Sequence, residues 1–497
     1  MADGVAYASA RGRWVLLAAV LGSGLAAIDA TVVGIALPAI GRDFHAGMTS
    51  LQWTVTGYML TLAGLLLVGG ALGDRYGRRR IFVIGVVWFA LASLLCGIAP
   101  NAETLIAARA LQGVGAALLT PSSLAIIEAT FRPEDRGRAI GAWSGLGGLA
   151  TAIGPFVGGW LIGSVSWRLV FYINLPLAAV VVWVCLKHVP ETRNDTEARI
   201  DVVGGGLVTL SLVGLCYGLT QASAWGWGAP SVVAALAAGV VLLVAFVLWE
   251  RRTPDPLLPL GLFANRRFSA TNAVTFVVYG ALGAVLFLLP IQLQQVSGYS
   301  PLASGAALLP VTVIMLLLSA RSGGLAARIG PRPQMTVGPL LVAVGMVLFV
   351  RIGADADYVT DVLPAVFVLG LGLAITVAPL TATALGSVPP ERSGIASAVN
   401  NDVARAAGLI AVAVLPAAAG IGELTYLDPP AFSAGFRTAC LIAAAVCAAG
   451  GLLSAATLGP REPLAAPAVP VPVRADYHCG LDAPALQHHP SPARTSP

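Results

Sequence analysis

The chain has 497 residues, 57 % of them hydrophobic and only 11 % charged, with a formal net charge of +5 and a mean hydropathy of +0.83. A soluble domain of ordinary composition carries about 25 % charged residues, so this composition excludes a soluble enzyme and reads as a polytopic membrane protein. The basic residues are spread over many short loops rather than gathered in a patch, which argues against nucleic acid as a partner and for orientation in a lipid bilayer.

Segments of about twenty apolar residues cross a ~30 Å hydrocarbon core as helices whose backbone groups are satisfied internally. The pattern predicts fourteen, at 14–38, 50–72, 81–99, 103–127, 139–162, 167–187, 202–222, 230–250, 269–291, 303–326, 334–351, 361–385, 395–418 and 434–457. The first run is long enough to stay in the membrane rather than serve as a cleavable signal peptide. Arg11 and Arg13 precede it, and Arg75, Arg78, Arg79 and Arg80 follow the second span. Arg132, Arg136 and Arg138 follow the fourth, Arg193 and Arg199 the sixth, and Arg251, Arg252, Arg266 and Arg267 the eighth. Arg328, Arg332 and Arg392 fall on the same side, while the other side receives little beyond Arg42, Arg168, Arg351 and Arg437. The positive-inside rule then expects both termini in the cytoplasm of a bacterial cell membrane. Lys187 is the sole lysine, a bias toward Arg that fits a GC-rich genome.

Two longer connections, Lys187 to Arg199 and the proline-containing Arg251 to Arg267, isolate a pair of spans between two groups of six. The expected organisation is a six-helix bundle over 1–200, two inserted helices and a linker over 201–268, and a second six-helix bundle over 269–458. The Pro- and Ala-rich tail, 459–497, is expected to be disordered, and its His478, His488 and His489 repeat no ligand spacing. Cys96, Cys185, Cys216, Cys440, Cys447 and Cys479 form no metal-ligand pattern; the first five read as small buried hydrophobes.

An acid inside an apolar helix is costly and is read as functional by default. Asp29 lies mid-span in the first helix, either as a carboxylate that exchanges a proton as access changes or as a structural group bonded to neighbouring helices. Arg109, about two turns into the fourth span, stays charged and needs a carboxylate, carbonyls or a wet cavity. Its pairing with Asp29 is sterically feasible, and Gln112 and Gly113 follow on adjoining positions. Asp74, in the loop after the second span, either caps the next helix or pairs with an arginine across the bundle. The fifth span is rich in glycine and contains Gly154-Pro155, reading as either a bent gate or a closely packed seam. Asp201 opens the seventh span as an interfacial cap. Trp53, Tyr58, Gln112, Gln292 and Gln294 are candidates for a substrate path, and Asp402 and Arg405 for a local helix pair. Glu391 and Arg392 open the thirteenth span.

At these residues the chain resembles the major facilitator superfamily, specifically its fourteen-span drug:proton antiporter branch, from Trp14 to about Leu458. The cytoplasmic-loop motif matches Gly70, Asp74, Arg75, Gly77, Arg78 and Arg79; the first-span motif matches Asp29, Thr31, Ala36, Leu37 and Pro38; the fourth-span motif matches Arg109, Gln112 and Gly113. The antiporter motif falls on Gly141, Gly154, Pro155, Gly158 and Gly159, with Ala150 where a glycine is expected. Trp167-Arg168, Phe171 and Ile173-Asn174-Leu175-Pro176 also look like this branch, and Arg328-x-Gly330 is a degenerate echo of the loop, with Gly324 in place of its acid.

The resemblance implies an all-α major facilitator fold with fourteen transmembrane helices in a 6+2+6 order, exporting amphipathic drugs or antibiotics by proton-coupled alternating access. Protonation at Asp29, tuned by Arg109, would reset the carrier; the Asp74 loop would gate the cytoplasmic side and Gly154-Pro155 guide closure. The partners are an amphipathic small molecule, protons and the bilayer, with the proton as coupling ion, no cofactor and no obligatory protein partner. A narrow-specificity metabolite carrier shares this fold and is separated by solute-driven proton movement; a non-transporting sensor predicts no flux. No ATP-binding motif, metal cluster or nucleophile–base set supports an enzyme.

Overall fold

A computed structural model describes residues 4–193, 201–389 and 392–459. Among them, fourteen helices are long and apolar enough to cross a membrane: α1 (Ala10–Phe44), α2 (Met48–Tyr76), α3 (Arg78–Gly97), α4 (Ala102–Thr130), α5 (Pro133–Ser164), α6 (Leu169–His188) and α7 (Val202–Ala222). The series continues with α8 (Pro230–Glu250), α9 (Arg266–Val296), α10 (Pro301–Ile329), α11 (Pro331–Arg351), α12 (Tyr358–Leu385), α13 (Gly394–Ala418) and α14 (Pro429–Thr457). The architecture is all-α. Arg199, Glu391, Cys479, His478, His488 and His489 lie outside the described residues.

Most helices overrun the apolar windows that announce them. α1 runs on to Phe44 rather than stopping near residue 38, because its ends are set by capping rather than by hydropathy. The Ser9 hydroxyl accepts from the Gly12 N–H at 3.0 Å, and His45 leaves the helix at φ +50°. Asn101 caps α4 on Thr104 N at 2.8 Å, and Asp201 caps α7 on Gly204 N at 2.8 Å, the role its position predicts. Gly77 (φ +109°) and Gly330 (φ +85°) each break the chain between two helices, so the two related loops share a backbone turn that other residues adopt only with strain. Two of the spans are interrupted: α6 is broken at Ile173 and α10 between Ala306 and Leu309.

In the first half of the chain α2 packs on α4, α3 on α4 and α1 on α5; in the second, α11 packs on α12, α9 on α13 and α11 on α14. Helices α7 and α8 pack on each other, and α7 also touches α2 and α13. Their crossing is close because glycines meet: a Cβ on Gly214 would lie 3.1 Å from Gly239 Cα, and the Ser211 hydroxyl donates to Gly239 O at 2.8 Å. Large apolar side chains such as Trp160, Leu186 and Val241 face outward, as a lipid-facing surface requires. The five described cysteines are all buried and unpaired.

The two halves are joined by polar contacts and close packing at one end. There the Gln52 amide donates to Val412 O at 2.8 Å, Gln294 donates to Ile35 O at 3.0 Å, and Glu423, in a one-turn helix between α13 and α14, accepts from Thr49 N at 2.9 Å. Gln295 donates to the Tyr426 hydroxyl at 2.6 Å beside Gly41, and burial pushes that phenol above its ordinary pKa, so it stays an O–H. Helices α5 and α10 touch backbone to backbone: a Cβ on Gly159 would stand 2.5 Å from Pro301 O, and one on Gly305 2.2 Å from Pro155 O. At the opposite, arginine-rich end, Gly141, Gly145, Gly147 and Gly148 of α5 have no neighbour within 4 Å of where a Cβ would sit.

Candidate functional site

Five helices converge on the Asp29 carboxylate. α4 brings Arg109 and Gln112 to one face, since residues three apart are neighbours on a helix. Arg109 Nη1 donates to Asp29 Oδ2 at 2.5 Å and to Gln112 Oε1 at 2.6 Å, while its Nε donates to Thr54 O on α2 at 3.2 Å. The Gln112 amide donates to Asp29 Oδ1 at 2.9 Å, and Asn174 on α6 donates to the same oxygen at 3.2 Å. Ser93 on α3 accepts from Asn174 at 3.0 Å and donates to Phe171 O at 2.9 Å. The Tyr58 ring lies 4.2 Å from the Arg109 guanidinium carbon and Phe171 lies 5.8 Å away, so the cation is held against aromatic faces as well.

Asp29 and Arg109 are each only 1 % exposed, and Gln112, Asn174 and Ser93 are fully buried. An ion pair this deep is held by its additional hydrogen bonds: removing one partner leaves an uncompensated charge, at a cost of about 3–5 kcal/mol. Two polar atoms at the edge of the network, Tyr58 Oη and Asn174 Oδ1, have no hydrogen-bond partner among the described residues. The chemistry available is therefore a change in the carboxylate's charge that unbalances a fixed guanidinium. Among the described residues no three His, Cys, Asp or Glu side chains are grouped to hold a metal ion.

The structure joins Asp29, Arg109, Gln112 and Tyr58 in one cluster and disperses the other path candidates. Gln112 belongs to the carboxylate network. Gln292 is fully buried and donates to Ile352 O at 2.9 Å and Ser433 Oγ at 3.1 Å, which makes it a tether within the second half rather than a wall of a path. Gln294 tethers the halves. Trp53 is part-exposed against Tyr217, with ring centroids 6.1 Å apart. Asp402 and Arg405 make no ion pair within 4 Å of each other; the Arg405 guanidinium lies within electrostatic reach of both Asp402 and Tyr58.

At the arginine-rich end, Asp74 pairs with Arg78 one turn on, Oδ1 accepting from Nη2 at 2.7 Å and Nε at 2.9 Å. The cap on α3 comes from elsewhere: Glu191, after α6, accepts from the backbone N–H groups of Arg79 (3.0 Å) and Arg80 (3.1 Å). Gly73 and Gly70 face Ser122 and Pro121 of α4, and Arg75 is exposed. On α5, a Cβ on Gly154 would meet Thr31 Oγ1 at 2.4 Å and one on Gly158 would meet Val32 Cγ1 at 2.4 Å, so both glycines bring α5 onto α1. Gly141 has open space around it and carries no such contact.

Sequence reasoning missed Ser93, Glu191 and Glu423 as parts of these networks, and Asn174 was noted only as part of a motif. Residues 19–413 match the family model described as Major Facilitator Superfamily. The chain is 41 % identical over 415 residues to the puromycin resistance protein pur8 of Streptomyces alboniger, covering 81 % of each. It is 37 % identical over 420 residues to the tetracenomycin C resistance and export protein of Streptomyces glaucescens, covering 83 % of this chain and 78 % of that one. The fold matches the crystal structure of a bacterial homolog of the human lysosomal transporter Spinster, in an inward-facing conformation, at a TM-score of 0.66 and 17 % identity over 90 % of this chain and 98 % of that one. The chain is thus a multi-pass membrane protein that belongs to the Major Facilitator Superfamily of transporters, related to bacterial drug- and antibiotic-resistance proteins.

Proposed function

We infer that the chain is a proton-coupled antiporter that exports amphipathic drugs, antibiotics or related small molecules by alternating access. The observation that carries this reading is the buried Asp29–Arg109 pair, braced by Gln112, Asn174 and Thr54, in a molecule whose halves pack closely at one end while the α5 glycines at the other face open space. Protonating Asp29 removes the negative charge but not the positive one, leaving Arg109 buried without its counter-ion; the network must then rearrange or admit water. That dependence links proton occupancy to the access state.

The arginine-rich loops favour a cytoplasmic location for both termini, and so for the end where these glycines lie. Helices α1–α6 and α9–α14 would then act as two six-helix units, with α7 and α8 inserted between them, the closed end facing outward and the Asp74–Arg78 loop serving the inner gate. The likeness to puromycin and tetracenomycin C resistance proteins supports an amphipathic antibiotic as the substrate class.

The test is pH-gradient-driven uptake of an amphipathic panel that includes puromycin into inverted membrane vesicles, comparing the native chain with Asp29→Asn at matched expression. Gradient-dependent uptake, lost in the variant, is expected. Uptake that survives Asp29→Asn moves the coupling site elsewhere, and solute-driven proton movement in the opposite sense makes the chain an importer.

A further inference from the structure

Away from Asp29, an enclosure of about 310 Å³ lies where α7, α8 and the connection after α8 cover the join between α2 and α13. Its size is at the lower end of small-molecule sites, which run from roughly 300 to 1,000 Å³. The wall is almost wholly apolar, formed by Leu212, Phe246, Phe263 and Phe276 among others, with Gly64 of α2 in close contact with Thr209 of α7. Asp402 on α13 is the one ionisable side chain among the lining residues described.

The carboxylate is left incomplete by its surroundings. Asp402 Oδ1 is shut away with no hydrogen-bond partner, and Arg405, one turn on, forms no ion pair with it. The hydroxyl of Ser211, a polar group in the same wall, is already committed to Gly239 O at 2.8 Å. A carboxylate among aromatic and aliphatic side chains, with no donor from the protein and only the more distant Arg405 charge to offset it, is costly, and a cation in the enclosure relieves that cost. An apolar enclosure with one such group at its wall, and three phenylalanine rings beside it, has the chemistry that recognises an organic cation with an apolar body.

We propose that α2, α7, α8, α9 and α13 enclose a binding site for amphipathic organic cations, with Asp402 as the residue that selects for positive charge. The site is distinct from the Asp29 network: the two share no residue, and α2 contributes separate positions to each. It gives α7 and α8 a role that packing alone does not require: they turn the open flank of the α2–α13 join into a pocket. Its position along α2, near Ala63 and Leu67, puts it toward the arginine-rich end, where Gly141 and Gly145 of α5 face open space.

The test is saturable binding of radiolabelled benzyltrimethylammonium, a permanently charged cation that fits the volume, to the purified full chain in lipid nanodiscs. Binding is read without transport, so a failed antiport assay leaves this result standing and the reverse also holds. Asp402→Asn keeps the shape and removes the charge, and is expected to weaken binding by about tenfold or more. Asp402→Glu restores the charge and is expected to stay within about threefold of the native chain. Leu212→Trp fills the enclosure from α7 and is expected to abolish binding with Asp402 intact. Each variant is checked for an unchanged melting temperature. No saturable binding to the native chain, or native-like binding by either Asp402→Asn or Leu212→Trp, overturns the proposal.

Discussion

Arg109 is gripped by a carboxylate, an amide oxygen, a backbone carbonyl and an aromatic face at once. A lysine is a single point charge and cannot span those directions, so Arg109→Lys keeps the charge but not the fork. We expect it to lower gradient-driven uptake by more than about tenfold and to cost about 3 kcal/mol of stability, measured by vesicle uptake and by melting of the purified chain. Native-like uptake with a lowered melting point would make the guanidinium geometry structural only. Asp29 and Arg109 were legible because a charge in an apolar run is expensive and therefore conspicuous. Ser93 and Asn174 were not legible as members of the network, since a small polar side chain in a helix satisfies itself in many ways. What assigns them is contact across helices, such as Asn174 with Asp29, and that depends on tertiary packing.

Among the helices, α5 makes the clearest contrast. Its glycine density suggested one packing face, yet its two halves differ: Gly154, Gly158 and Gly159 are in tight contact with α1 or α10, whereas Gly141 and Gly145 face open space. Gly159→Ala places a methyl 2.5 Å from Pro301 O, where only backbone movement relieves the clash. It is expected to loosen the closed end and lower uptake several-fold, while Gly145→Ala, which also gains helix propensity, changes stability by less than about 1 kcal/mol. Hydrogen exchange across 301–306 reads the difference directly: faster exchange in Gly159→Ala and none in Gly145→Ala is the expected pair of results. The existence and order of the helices were legible because each needs a long apolar run. Their ends were not, because a hydropathy window marks the membrane whereas Ser9, Asn101 and Gly77 mark the helix. The same limit hid Glu191, whose capping of α3 joins positions 112 residues apart.

For the whole molecule, transport by alternating access requires the closed end to open. Its contacts are apolar as well as polar: α5 packs against α10 and one buried cluster runs from Ile40 and Leu51 to Leu293 and Leu415, beside two glutamine amides on carbonyls and the Glu423 carboxylate on the N-terminus of α2. Gly47 offers no side chain to cap that helix, and Glu423 comes from the other half of the chain to do it. Such a cap is worth about 1 kcal/mol, a share of the closed state's stability that opening can give up. Bridging Gly47→Cys to Glu423→Cys with a short bis-methanethiosulfonate reagent fixes the two halves at this point. The five described cysteines are buried, so with Cys479→Ala the reagent reaches the introduced pair. Bridging is expected to stop uptake and reduction to restore it to the level of the unbridged double variant, in which Glu423 no longer fills the space beside position 47. Uptake that continues in the fully bridged chain means that this end never opens, and substrate must then leave by another route between the helices.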